Sequence, residues 1–282
     1  MSQIVRSRSR CIDAGDNQAL LDELDFNLSG ASSKQSETSR LHSTLQLLQQ
    51  IRSGDILFAM RANGFIPRLC DAFAVPPKDP RTVVAMLAIL YLIARDDLSS
   101  SELTAAVVQA VTPTLSNSTP IKDSDVMPAL AACVELPPSP SPRDLALNIL
   151  AAVAANDAGR CALSKFGALS AAVQLVTTEA AAGAQKCNFG VARLALSLLE
   201  HSMVNNSDNQ VAAAGSGAGT ASLDIISVCV ARSEHAPAAD TLAAALRVLM
   251  NLSNHNRAVS AQLSARVSEL VCVLAAPPQH DQ

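Results

Sequence analysis

Apolar residues recur every three or four positions through most of this chain, and short polar breaks interrupt them. RLHSTLQLLQQIRS, residues 40–53, sets Leu41, Leu45 and Leu48 on one helical face. ILFAMRANG, residues 56–64, reads as a short helix ended by Gly64, a residue that takes the left-handed conformation a helix end needs. In FIPRLCDAFAV, Pro67 stands where a first helical turn tolerates it. KDP at 78–80 offers Asp79 as N-cap and Pro80 as first residue of a helix to Ala94, apolar nearly all round as an enclosed helix is. A helix near 101–112 follows, then polar TPTLSNSTPIKDS and PALAACVEL. LPPSPSPR at 136–143 holds four prolines in eight residues and reads as an extended spacer. No alternating run long enough for a strand interrupts the helices.

The second half repeats one grammar: apolar helix, Asn-rich break, short helix, glycine, apolar helix. Ser141 and Pro142 open the first copy, and the break asparagines are Asn156, Asn206 and Asn254. A glycine follows the break in two copies, Gly167 eleven residues on and Gly215 nine residues on. LQLLQQIRSGDILFAMRANGFIPRL fits the same grammar, with Ser53 at the break and Gly64 eleven later. A period of about 40–50 residues with two or three helices per unit belongs to armadillo and HEAT repeats, whose helical hairpins bury their apolar faces by stacking. The predicted fold is an all-α, armadillo/HEAT-like α-solenoid. Its predicted parts are a disordered polar and basic tail over 1–19 and an N-terminal helical lobe over 20–135. The Pro-rich linker over 136–143, a C-terminal armadillo-like lobe over 144–276 and a tail over 277–282 complete it.

Composition sharpens this picture. Of 282 residues 49% are hydrophobic but only 2% aromatic, with no Trp, so the core is Ala, Leu and Val in close-packed helices. A net charge of −4 gives no field that would pull the chain onto nucleic acid or an acidic membrane. The local exception, RSRSR at 6–10, reads as part of a solvated tail. Seven cysteines without a short zinc spacing, most in apolar runs, read as buried, reduced thiols of a cytosolic or nuclear protein. The longest strongly apolar stretch, at 82–94, is too short to span a bilayer.

Three further stretches carry a family resemblance. LLDELDFNLSGASSKQSETSRLHSTLQLL at 20–48, FAMRANGFIPRLCDAF at 58–73 and PPKDPRTVVAMLAILYLIARDDLS at 76–99 resemble, in that order, the C-terminal domain of the wings apart-like (Wapl) cohesin-release family. Weaker echoes run through CALSKFGALSAAVQLV, FGVARLALSLLEHSMVNNSDNQ and DTLAAALRVLMNLSNHN. The resemblance implies a nuclear, chromatin-associated protein that is not an enzyme and uses no cofactor. Its implied partners are the cohesin ATPase heads, the kleisin and a HEAT-repeat regulatory subunit, with no small-molecule substrate, nucleic acid or membrane. Two departures stand out: the family domain is usually much longer, and no Phe-Gly-Phe motif occurs. Armadillo proteins are the wider likeness, with Asn251 at the third-helix asparagine position. Arg247 stands where import receptors carry a tryptophan, which excludes their mode of ligand binding. A general cytosolic armadillo scaffold is the alternative function.

Candidate chemistry is sparse. The five histidines are scattered without a metal-binding i, i+4 pair, and GSGAG at 215–219 follows no strand and reads as an inter-helix connection. Neither GxSxG nor a P-loop occurs, so no catalytic, cofactor-binding or metal residues are assigned. For partner binding, polar residues where the resemblance is densest stand out: Arg61 and Asn63 before Gly64, and Arg95 and Asp96 after the enclosed helix. Repeat ends present such residues to partners. The structural alternative is capping, with the arginines near the last carbonyls and Asn63 or Asp96 ending the helix.

Overall fold

Close-packed Ala, Leu and Val segments fold into helices whose ends are set by asparagine, proline and glycine. The computed structural model describes residues 8–51, 54–95, 101–120, 141–232 and 234–254, with positions 260, 261, 264 and 271. Among them are thirteen α-helices and no strand. The helices are α1 Arg8–Ala31, α2 Glu37–Ile51, α3 Gly54–Ala62, α4 Phe65–Phe73, α5 Pro80–Arg95, α6 Ser101–Val111, α7 Pro142–Val153, α8 Asp157–Lys165, α9 Ala168–Ala181, α10 Phe189–Met203, α11 Ser207–Gly215, α12 Ala218–Val230 and α13 Ala236–Ser253. A 3-10 turn at Thr112–Ser116 follows α6.

Contacts divide them into two units, α1–α5 and α6–α13. The 3-10 turn and α6 therefore group with the C-terminal helices, although the proline-rich stretch suggested a boundary only after residue 135. Arg143 shows one reason: its Nε donates to the Leu115 carbonyl at 2.9 Å and its backbone N–H to the Asn117 carbonyl at 3.0 Å. Most of the proline-rich linker, and the tail over 277–282, lie outside the described residues. Helix α1 starts at Arg8, so the backbone is helical through most of the stretch expected to be an irregular tail.

In the first unit α1 packs on α2, α2 on α5, and α1 also on α4. Leu24, Leu47, Leu48, Ile51, Leu69, Phe73, Ile89 and Ile93 fill its core. Helices α1 and α2 approach so closely at Gly30 that an added Cβ would meet Ser43 Oγ at 2.1 Å. Arg40 of α2, only 3% exposed, ties three segments together. Its Nε donates to the Ala31 carbonyl at 3.3 Å, Nη2 to the Val75 carbonyl at 3.0 Å, and Nη1 faces Glu37 at 3.5 Å. Asp79 begins α5 as expected, its Oδ1 accepting from the Arg81 backbone N–H at 2.9 Å.

The second unit carries a register of fifty residues. Asn156 and Asn206 are extended N-caps of α8 and α11, their Oδ1 atoms accepting from the Gly159 and Asn209 backbone N–H groups at 2.7 and 2.9 Å. Gly167 and Gly217 are left-handed N-caps of α9 and α12, with φ of 77° and 89°. Two expectations shift. Gly215 is the last residue of α11, and Gly217 turns the corner, eleven residues after its asparagine like Gly167 and Gly64 after their breaks. Asn254 is the extended C-cap of α13 and matches Val204, the extended C-cap of α10, so it does not share the register of Asn206. Packing follows the same register: α9 lies on α10 and α12 on α13 within each copy, while α12 lies on α9 and α13 on α10 between copies.

Candidate partner-binding surface

Helix α3 ends in a tight corner that places two of the four candidate residues. The Asn63 backbone N–H donates to the Ala59 carbonyl at 3.1 Å, and its side-chain Nδ2 donates to the same oxygen at 2.8 Å. The Gly64 N–H donates to the Arg61 carbonyl at 3.3 Å, and Gly64 swings left-handed, φ 68°, to start α4. Asn63 therefore uses its amide to close the helix, one of the two roles expected of it. Arg61 is exposed in the last turn of α3, where its cation faces the negative end of the helix dipole. Arg95 is the last residue of α5; its side chain, and Asp96 altogether, lie outside the described residues. The corner thus brings together Arg61 and Asn63.

It also carries a large apolar side chain on its outer face. Phe58, one turn before Arg61 and Ala62, is 74% exposed, while Leu57 and Met60 turn inward. Helical phase holds the only advance signal, since 57 and 60 share the inner stripe and 58 falls beside it. An exposed phenyl with an arginine one turn on has the residue types that protein interfaces favour, and the pair offers no group for acid–base chemistry near neutral pH.

The third-helix asparagine is spent inside the fold. Asn251 Nδ2 donates to the Glu200 carbonyl at 3.1 Å, and Arg247 Nε donates to Glu200 Oε1 at 2.8 Å, so both side chains fasten α13 onto α10. Asn209 of α11, 1% exposed, ties its helix to α8 and α10: its Nδ2 donates to the Arg160 and Ser202 carbonyls, each at 2.8 Å.

Three of the described thiols, Cys70, Cys187 and Cys229, are held in the protonated form rather than activated. Burial, and then the nearby Asp71 carboxylate, push Cys70 up to about 12. Burial and then Cys187 push Cys229 to about 12, and burial and then Glu179 push Cys187 to about 11. Cys161 departs from the expected pattern, lying exposed on the outer face of α8. Among the described residues no three His, Cys, Asp or Glu side chains converge as metal ligands. Among them, too, no single helix is long and apolar enough to cross a membrane.

Two comparisons bear on this arrangement of helices and exposed corners. No curated protein matches the chain. The family model described as wings apart-like protein regulation of heterochromatin matches residues 5–275, nearly the whole length. The chain therefore belongs to the wings apart-like (WAPL) family, a family of regulators of heterochromatin.

Proposed function

We propose that this WAPL-family chain is a non-catalytic helical-repeat module that promotes release of cohesin from chromatin in the nucleus. The observation that carries the reading is the family match across residues 5–275. The internal geometry supports its architectural side. In the second unit, caps and corner glycines recur at fifty residues, and like helices stack on like, as in an armadillo/HEAT-type α-solenoid. The first unit has the same pairing, with α2 on α5 and α1 on α4.

A module of this kind works by holding partner proteins along helix ends and connections, which needs rigid corners and exposed side chains. The partners proposed are the cohesin ATPase heads, the kleisin and the HEAT-repeat regulatory subunit. Arg61 and Arg95 are the proposed contacts, with Phe58 beside Arg61 as the apolar anchor. Asn63 keeps the corner in shape. The decisive experiment measures chromatin residence time of a fluorescent cohesin subunit by photobleaching after depletion of this protein. Lengthened residence is expected, and unchanged residence removes the reading. At the residue level, Arg61→Glu with Arg95→Glu should weaken capture of cohesin subunits while the circular dichroism melt stays in place.

A further inference from the structure

Three corners of this chain are built to one pattern, and one of them carries an asparagine. At each, the residue before the corner glycine donates its backbone N–H to the carbonyl four residues back, and the glycine N–H donates to the carbonyl three residues back. At the first corner these bonds run from Asn63 to Ala59 at 3.1 Å and from Gly64 to Arg61 at 3.3 Å. At the second they join Phe166 to Ala162 at 3.0 Å and Gly167 to Ser164 at 3.2 Å. At the third they join Ser216 to Ala212 and Gly217 to Ala214, each at 3.0 Å. Ser216 adds a side-chain bond, its Oγ donating to the Ala212 carbonyl at 2.9 Å, just as Asn63 Nδ2 donates to the Ala59 carbonyl at 2.8 Å. Phenylalanine and serine serve the same turn, so the turn itself does not require an amide at position 63.

What asparagine adds is a reactive pair. Asn63-Gly64 is the only Asn-Gly step in the sequence. The carbonyl carbon of an asparagine side chain can close a five-membered ring with the next backbone nitrogen, and a glycine there has no Cβ to hinder the approach. Here the approach is open, for Asn63 and Gly64 are exposed and a Cβ placed on Gly64 would meet nothing within 4 Å. Two hydrogen bonds keep the reacting atoms apart: the Gly64 nitrogen is held on Arg61 and the Asn63 amide on Ala59. The Gly64 bond is the longest of the backbone bonds at the three corners. Both bonds close the end of a nine-residue helix, where opening costs least.

We propose that Asn63 is a site of chemical modification, where the side chain cyclises onto the Gly64 nitrogen and is converted to aspartate and isoaspartate whenever the end of α3 opens. Hydroxide takes the Gly64 N–H proton, the bond from that nitrogen to Asn63 Cγ forms, and the Cγ–Nδ2 bond breaks. Nδ2 takes a proton from water and leaves as ammonia. Water then opens the succinimide: addition at Cγ gives aspartate, and addition at the main-chain carbonyl carbon gives isoaspartate. Water is the co-reactant consumed, and nothing is oxidised or reduced. Either product loses the Nδ2 donor and sets a carboxylate against the Ala59 carbonyl at the negative end of α3. Isoaspartate also lengthens the main chain by one atom before Gly64, so the corner cannot close as before. The proposal stands on the corner alone and is independent of which protein the module holds.

The whole chain, incubated at mildly alkaline pH, is followed by peptide mapping with mass spectrometry and by enzymatic methylation of isoaspartyl carboxyls. Conversion should appear at Asn63 before Asn117 and Asn206, which serine follows. A synthetic peptide of residues 56–71 is the open reference, since so short a segment holds no stable helix in water. The chain should convert more slowly than the peptide by the factor that protects the Gly64 amide from hydrogen exchange, within about threefold, because one opening exposes that nitrogen to both reactions. Asn63→Ser keeps the cap in the manner of Ser216 and should abolish the conversion with the melting temperature unchanged. Asn63→Asp, which fixes one product in the sequence, should speed hydrogen exchange at Gly64 about tenfold through the lost helix-end bond. No conversion at Asn63, or earlier conversion at Asn117 or Asn206, overturns the proposal. So does a chain that converts as fast as the peptide, or an Asn63→Asp variant that exchanges like wild type.

Discussion

Asn209 is where the repeat register meets a measurable energy. Its side-chain amide gives both hydrogens to main-chain oxygens, Arg160 of α8 and Ser202 of α10, and its own N–H is held by the Asn206 cap. Replacing it with alanine removes two hydrogen bonds at about 1 kcal/mol each and leaves carbonyls without a donor, so the loss should be about 2–4 kcal/mol. In a domain of this size each kcal/mol moves the melting temperature by about 2–4 °C, which predicts a fall of about 4–16 °C. Asn209→Asp keeps the shape but sets an acceptor against two acceptors. At neutral pH it should cost more than alanine, as an unpaired buried charge does. Its carboxyl is then raised above its unfolded value of about 3.9, so stability is present below that pH and is lost as pH rises through the folded value. Relative to wild type, the aspartate variant should gain stability between pH 8 and pH 5. Denaturant melts followed by circular dichroism give the energies, and hydrogen exchange in α8 and α11 localises them. If the alanine variant lies within about 0.5 kcal/mol of wild type, the staple contributes little beyond an exposed contact and the reasoning fails.

The two neighbouring glycines of the α11–α12 corner should respond oppositely. Gly217→Ala forces a side chain into φ 89° and should cost about 1–2 kcal/mol, whereas Gly215→Ala sits at a helix end with open space and should be neutral or slightly stabilising. Equal effects in thermal melts would return the corner to Gly215. Arg40→Lys keeps the charge but loses the fork that reaches the Ala31 and Val75 carbonyls, and should lower the stability of the first unit by about 1–3 kcal/mol in a denaturant melt. Iodoacetamide with mass mapping should label Cys161 well before Cys70 and Cys229, whose thiols ionise only near 12. Because those pKa values are raised from 9.0 in the folded state, their contribution holds below about 9 and is lost as pH rises toward about 12, so the melting temperature should fall across that window.

Local chemistry made the helices and most of their ends legible in the sequence. Asp79 and Pro80 mark the start of α5, Asn156 and Asn206 mark two caps, and Gly64 and Gly167 mark two corners, because each feature depends on neighbours within four residues. Where local chemistry offers two equivalent choices, the sequence does not decide. GSG supplies glycine at 215 and 217, and NHN supplies asparagine at 254 and 256, so tertiary packing selects the residue that takes the left-handed turn and the one that ends α13. The grouping of α6 with the C-terminal helices was hidden for a different reason. It depends on contacts such as Arg143 with Leu115, 28 residues apart, which no window of neighbouring residues contains.

The surface was less legible than the fold, and the cause is physical. A catalytic site announces itself by residue types that chemistry requires, whereas a docking face is made of ordinary side chains whose meaning depends on exposure. Arg61 and Asn63 look alike in a string of letters, yet Asn63 gives its amide to the Ala59 carbonyl and closes the helix, while Arg61 carries an exposed side chain. Phe58 and Leu246 look like core until phase and neighbours show them outside it. Conversely, Asn251 and Arg247 look like ligands and are fasteners, because α10 supplies a carbonyl and a carboxylate where a partner would otherwise stand. In a stacked-helix chain, then, binding residues are those left over after every helix has satisfied its neighbour.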